Sequence, residues 1–161
     1  MRILVITISD RAFNGIYEDK SGEAIAGLLK KYFSEKGFDI NNIKKIIIPD
    51  EYDMILNTLK ENKDNFDIII TTGGTGLSER DTTPEATREF CKKEVSGVSE
   101  YLRAESMKET LFASLSRGYC GINDKVFVVN FPGSEKGAIF CANLIIPLLS
   151  HIVDMMNGHG H

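Results

Sequence analysis

The sequence has no CxxC pair, and its cysteines, Cys91, Cys120 and Cys141, are odd in number and widely spaced. That pattern excludes a disulfide framework and the common metal spacings, and predicts buried, reduced thiols. Basic excess is also missing: 19 Lys and Arg against 23 Asp and Glu give a net charge of −4. A nucleic acid or an anionic membrane needs a concentrated basic face, so neither is expected as a partner. The opening "MRILVITISD" lacks a cleavage site, because Asp10 and Arg11 cut its apolar run short. No stretch is expected to approach the ~18 uncharged apolar residues of a membrane span. No internal repeat, low-complexity segment or linker is visible. These absences predict a cytoplasmic protein with a single domain over residues 1–157 and a short polar tail, "GHGH", at Gly158–His161.

What remains is an ordinary globular composition, 42% hydrophobic and 26% charged. Four segments read as strands buried on both faces, being short, β-branched and continuously apolar. They are Arg2–Ser9, Ile43–Pro49, Phe66–Thr72 and Lys125–Pro132. Helical spacing of apolar residues runs from Ser21 to about Gly37, from Glu51 through Leu59, and from Ser134 through Val153. Pro147 should kink the last of these. Residues Pro84–Gly118 read as a helical insertion that includes "TLFASLSR". Alternating strands and helices predict an α/β fold with a mostly parallel central sheet, wound by right-handed crossovers.

Ligands of parallel sheets bind beyond the carboxyl ends of the strands. The first strand here ends in Ser9 and Asp10, the second in Asp50, the third in Gly73, Gly74, Thr75 and Gly76, and the fourth in "NFPGS". The glycine loop is not a Walker A motif, because Leu77 and Ser78 follow Gly76, and Glu79 breaks a GxGxxG pattern. Its glycines permit positive φ and close approach of backbone N–H groups to a ligand, although a plain chain reversal needs the same freedom. Asp50 and Asp81 are open to two readings, as a helix cap and a turn residue or as a pair of carboxylates. Two carboxylates beside a phosphate-holding loop make sense with Mg²⁺ between them, since Mg²⁺ takes one or two carboxylates plus phosphate oxygens. Arg117 is divided between a phosphate contact and a carbonyl at a helix C-terminus. Arg103 and Lys108 read as solvated surface, and Glu79 and Glu85 either as solvating the loop and starting the following helix or as reaching the metal through water.

The stretch "TTGGTGLSERDTTPEAT", Thr71 to Thr87, closely resembles the signature of the MogA/MoaB family of molybdenum cofactor biosynthesis proteins, also found as a domain of gephyrin. The likeness continues through "TISDRAFNGIYEDKSG" at Thr7–Gly22, "IIPDE" at Ile47–Glu51, "LSRGYCGI" at Leu115–Ile122 and "NFPGSEKG" at Asn130–Gly137. The resemblance implies a compact three-layer α/β/α sandwich and adenylylation of molybdopterin. The terminal phosphate of the pterin attacks the α-phosphate of ATP, and pyrophosphate leaves, with Mg²⁺ required. It implies that Asp50 and Asp81 are catalytic and hold the metal. Substrate contacts fall on Ser9, Asp10, Arg11, Asp19, Ser21, Gly22, Thr72, Gly73, Gly74, Thr75, Gly76, Pro132, Gly133 and Ser134, with Ser106 carried over from the insertion. A homotrimer and a molybdenum-insertion partner of the MoeA type are further implications. The alternative is a carrier that holds molybdopterin without chemistry, as in the MoaB branch.

Overall fold

The computed structural model describes residues 1–159, the side chain of Ile40 excepted. The last two residues of the expected polar tail, Gly160 and His161, lie outside the described residues. Six strands form one sheet: β1 (Ile3–Ile8), β2 (Ile43–Ile48), β3 (Ile68–Thr72), β4 (Lys93–Glu94), β5 (Cys120–Asn123) and β6 (Val126–Phe131). Their spatial order is β2-β1-β3-β6-β5-β4. The first four in that order are parallel, and β5 and β4 add on antiparallel to the β6 side.

Seven helices accompany the sheet among the described residues: α1 (Asp10–Phe13), α2 (Lys20–Ser34), α3 (Tyr52–Asn62), α4 (Thr83–Phe90), α5 (Ser96–Glu109), α6 (Glu135–Ile145) and α7 (Leu149–Met156). The alternation of side chains along each strand sends apolar residues to both faces. Ile3, Val5, Ile68, Ile70, Phe127 and Val129 pack with Ile25, Leu29, Phe33 and Ala142 of α2 and α6. Leu4, Ile6, Ile8, Ile69 and Val128 pack on the other face with Ile55, Leu59, Ala86 and Phe90 of α3 and α4. Two separate cores on two faces make the expected three layers. Leu29 is fully buried, and truncating such a side chain to alanine costs about 2–5 kcal/mol.

Several sequence expectations need correction. β2 is an edge strand and only half-buried, because Lys44 and Lys45 interrupt its apolar run. β4 and β5 are additional to the four expected strands. β5 is short and contains Gly121, where a Cβ would sit 2.7 Å from the Lys93 carbonyl and 2.8 Å from the Cys91 Cβ. The glycine that permits this close strand pairing also hides it from a β-propensity reading. "TLFASLSR" is no α-helix: Leu111–Leu115 form an exposed 3₁₀ turn.

The C-terminal helix breaks where proline predicts, with a 3₁₀ turn at Ile146–Leu148 between α6 and α7. Contrary to expectation, this run does approach the length and apolarity of a membrane span: Glu135–Met156 has a mean hydropathy of 1.8 over its most apolar window. Its inward positions, Ala138, Cys141, Ala142, Ile145, Ile146 and Leu149, belong to the core against β6 and α2, while most of that window is not buried. Cys120 and Cys141 are buried and Cys91 is partly so, all as thiols. Burial pushes Cys91 up to about 12 and Cys141 up to about 11, which makes both unreactive at neutral pH.

Candidate active site

The parallel register aligns the strand ends: Ile8 pairs with Ile48, Thr7 with Thr72, and Thr72 with Phe131. The residues that follow these positions therefore meet at one edge. Ser9 caps α1, its Oγ accepting from the Ala12 N–H at 3.2 Å, and its own N–H continues the ladder to the Ile48 carbonyl at 3.0 Å. Asp10 then turns toward β2, where one oxygen accepts from the Asp50 N–H at 3.0 Å. Its other oxygen pairs with Arg80 at 2.5 Å. Asp50 does not cap α3, whose N-cap is Glu51.

Beyond β3 the chain needs glycine for two separate reasons. Gly73 has φ +108 and Gly74 φ +62, a region that disfavours side chains. A Cβ on Gly73 would also strike the Ile8 carbonyl, and one on Gly74 would strike Thr83 Oγ1 and lie 3.2 Å from Asp50 Oδ1. Gly133 approaches as closely, its Cβ position lying 3.2 Å from the Gly73 Cα. Thr72 Oγ1 donates to the Pro132 carbonyl at 2.8 Å, so the loops after β3 and β6 are laced together. Gly76 has no positive φ; a methyl there would sit 2.9 Å from Asp81 Oδ2. The Asp81 carboxylate accepts from the Ser78 N–H at 2.8 Å.

Three buried polar atoms close to this loop have no hydrogen-bond partner among the described residues: Asp50 Oδ1, Thr82 Oγ1 and Thr83 Oγ1. A buried oxygen without a donor costs free energy unless something supplies the missing interaction. Asp50 also has a raised carboxyl pKa, chiefly from burial and further from the negative charges of Asp10 and Asp81. A divalent cation would reverse both penalties, and oxygen-only donors suit Mg²⁺. Among the described residues no three His, Cys, Asp or Glu side chains form a metal cage by themselves. Mg²⁺ commonly keeps waters and substrate phosphates in its shell, so a partial protein donor set fits it.

On the other side of the glycine loop lies a cleft of about 450 Å³. Its walls come from α5, the Leu111–Leu115 turn and α6, with Leu102, Phe112, Phe140 and Tyr119 among the apolar lining. Of the sequence-derived candidates, Thr75, Gly76, Ser106, Pro132 and Ser134 line it. Ser134 also caps α6, accepting from the Gly137 N–H at 3.3 Å. Asp10, Asp50, Gly74 and Asp81 cluster on the acidic side. The loop thus separates a negatively charged niche from a mostly apolar chamber.

The remaining candidates are held by contacts of their own. Asp19 is buried with its oxygens engaged by the Gly22 N–H at 2.8 Å, Thr7 Oγ1 at 2.8 Å and Lys45 Nζ at 3.3 Å. Ser21 is buried in the first turn of α2, and a Cβ on Gly22 would clash with Thr7 and Asp19. Arg11 is exposed and lies over the Tyr17 ring at 5.4 Å.

Arg103 is not the solvated residue that its sequence context suggests. Its guanidinium is half-buried in the cleft, donating to the Ser116 carbonyl at 3.1 Å and the Ser99 carbonyl at 3.0 Å. Arg117 reaches loop carbonyls, not its own helix end, and Glu85 pairs with it. Thr82 and Thr83 escape the sequence reading, although two hydroxyls directly before Pro84 at a helix start are visible in "DTTPE". Nothing in the sequence signals Ser99, whose buried Oγ also lacks a partner at the cleft.

The family described as "Probable molybdopterin binding domain" matches residues 4–151. A protein of Helicobacter pylori strain 26695 named molybdopterin adenylyltransferase is 38% identical, over 99% of this chain and 89% of its own length. The Drosophila melanogaster protein named molybdenum cofactor synthesis protein cinnamon is 40% identical over 94% of this chain, which spans only 25% of that longer protein. Among solved structures, a molybdopterin biosynthesis enzyme MoaB from Thermus thermophilus superimposes with a TM-score of 0.82 at 35% identity, covering 98% of this chain and 96% of that one. On the match over residues 4–151, this chain belongs to the molybdopterin binding domain family.

Proposed function

We propose that this chain is a molybdopterin adenylyltransferase, built as a single domain over residues 1–157. The observation that carries the reading is the pairing of Asp50, half-buried with one buried, unpartnered oxygen, with a glycine loop that opens on an apolar cleft. A carrier has use for the cleft but none for a destabilised carboxylate. The full-length likeness to the Helicobacter protein supports the enzyme.

In this reading the pterin lies in the cleft, flanked by Ser106, Arg103 and Tyr119, with its phosphate directed toward the glycine loop. The N–H groups of the loop and of the Pro132–Ser134 turn orient phosphate oxygens. A terminal phosphate oxygen of molybdopterin forms a bond to the α-phosphorus of ATP, and the bond to the β-phosphate oxygen breaks, releasing pyrophosphate. Asp50 and Asp81 would hold Mg²⁺, which when bound supplies charge neutralisation at the reacting phosphates. Ser9, Asp10 and Arg11 border the nucleotide, and Asp19, Ser21 and Gly22 shape the β1–α2 loop behind it.

The protein acts in the cytoplasm as a homotrimer. The motive for self-association is the apolar turn Leu111–Leu115, where Leu111 is 83% and Phe112 81% exposed. A molybdenum-insertion protein of the MoeA type would accept the product. Steady-state assay of Asp50→Asn and Asp81→Asn tests the assignment. Each should retain the fold and lose about 10²–10³-fold in pyrophosphate release, the usual cost of one electrostatic stabiliser. Full turnover by Asp81→Asn contradicts it.

A further inference from the structure

Arg117 fastens both ends of the loop that carries Asp81. Its Nε donates to the Gly76 carbonyl at 2.7 Å and its Nη2 to the Asp81 carbonyl. Its Nη1 pairs with Glu85 on the first turn of α4, and its backbone N–H donates to the Thr75 carbonyl at 3.0 Å. Between the two clamped carbonyls lie Leu77, Ser78, Glu79 and Arg80, all exposed. Exposed residues give the loop little packing of its own, so hydrogen bonds must hold its shape.

A planar guanidinium can span two carbonyls and a carboxylate at once; an ammonium cannot match that fork. Glu85 fixes the guanidinium from outside, and the Ser78 N–H fixes the Asp81 carboxylate from within. Arg117 also directly follows Ser116, part of the cleft wall, so one residue joins the wall to the acidic niche. Resting on the transferase reading, we infer that Arg117 is a positioning residue that sets where the Asp81 carboxylate stands, and so the affinity of the niche for a divalent cation.

A double-mutant cycle tests this, with Mn²⁺ binding to the protein–ATP complex followed by electron paramagnetic resonance. Arg117→Ala should weaken Mn²⁺ binding about tenfold beside Asp81, yet by less than about twofold in the Asp81→Asn background. Arg117→Lys should fall between wild type and Arg117→Ala, and carries the cycle if the alanine variant does not fold. Equal losses in both backgrounds, no loss, or a wild type that binds no Mn²⁺ overturns the inference. Hydrogen exchange gives a second readout: amides of residues 76–81 should exchange faster in the variant while β1 and β3 keep their protection. Unchanged exchange in that loop overturns it too. A wild type that obeys the cycle but releases no pyrophosphate would defeat the transferase reading alone.

Discussion

The Asp50 N–H donates to the Asp10 carboxylate at 3.0 Å, joining the ends of β2 and β1 and setting two acidic side chains beside each other. The contact fixes the backbone of Asp50 while leaving its own Oδ1 buried and unpartnered. A fold that tolerates this arrangement holds charge in readiness for a cation.

The first prediction follows from that charge. The folded pKa of Asp50 is raised above the ordinary 3.8, first by burial. The folded state therefore binds the proton more tightly than the unfolded state. The contribution of this group to stability is greatest below about 3.8 and declines as pH rises through the folded pKa. Without divalent cations, Asp50→Asn should melt at or above wild type at pH 7, with the gap closing toward pH 4. Added Mg²⁺ and ATP should raise the Tm of wild type more than that of the variant. Calorimetry across this range checks it, and a variant several degrees less stable at pH 7 contradicts it.

The glycine loop gives a paired outcome. Gly74→Ala forces a side chain to φ +62 and into Thr83 Oγ1, so it should lose about 1–3 kcal/mol of stability. Gly76→Ala meets no such backbone strain but presses on Asp81 at 2.9 Å. Thermal melts should therefore separate the two variants. Turnover of Gly76→Ala should fall while its melting temperature stays near wild type.

A third test concerns the cleft. Ser106 is half-buried on its wall, its Oγ 3.9 Å from Cys141 Sγ. Ser106→Phe should fill that space and raise the KM for molybdopterin about tenfold or more, equivalent to ~1.4 kcal/mol. The KM for ATP should stay within about twofold, because the acidic niche is on the other side of the loop. Equal effects on both substrates would mean that the cleft is not the pterin chamber.

Thiol chemistry supplies the fourth. With Cys141 pushed up to about 11 and Cys91 to about 12, only about one Cys141 in a thousand is a thiolate at pH 8. Iodoacetamide should label the folded protein far more slowly than the protein in urea. Rapid labelling of native Cys91 or Cys141 would contradict the burial argument.

The central sheet was legible because β1, β3 and β6 are short, mostly apolar buried runs, and the strand-end loops because glycine and aspartate concentrate there. β4 and β5 were not, since Lys93–Glu94 has no apolar signal and Gly121 serves a contact visible only in three dimensions. Register explains the same division at the site. Asp50 and Asp81 could be named from residue type, but only the β1–β2 pairing brings Asp10 to Asp50. Arg103 looks in sequence like any exposed arginine, and Arg117 is open there between a phosphate and a helix-end carbonyl. Their roles depend on carbonyls 13 and 41 residues away in the chain, which local periodicity does not reveal.

The most direct measurement incubates the protein with molybdopterin, Mg²⁺ and ATP labelled at the α-phosphate, then identifies the labelled product by mass spectrometry. The expected product is molybdopterin carrying AMP, formed one-for-one with pyrophosphate, and nearly absent with Asp81→Asn. Tight molybdopterin binding with the label remaining in ATP would contradict it.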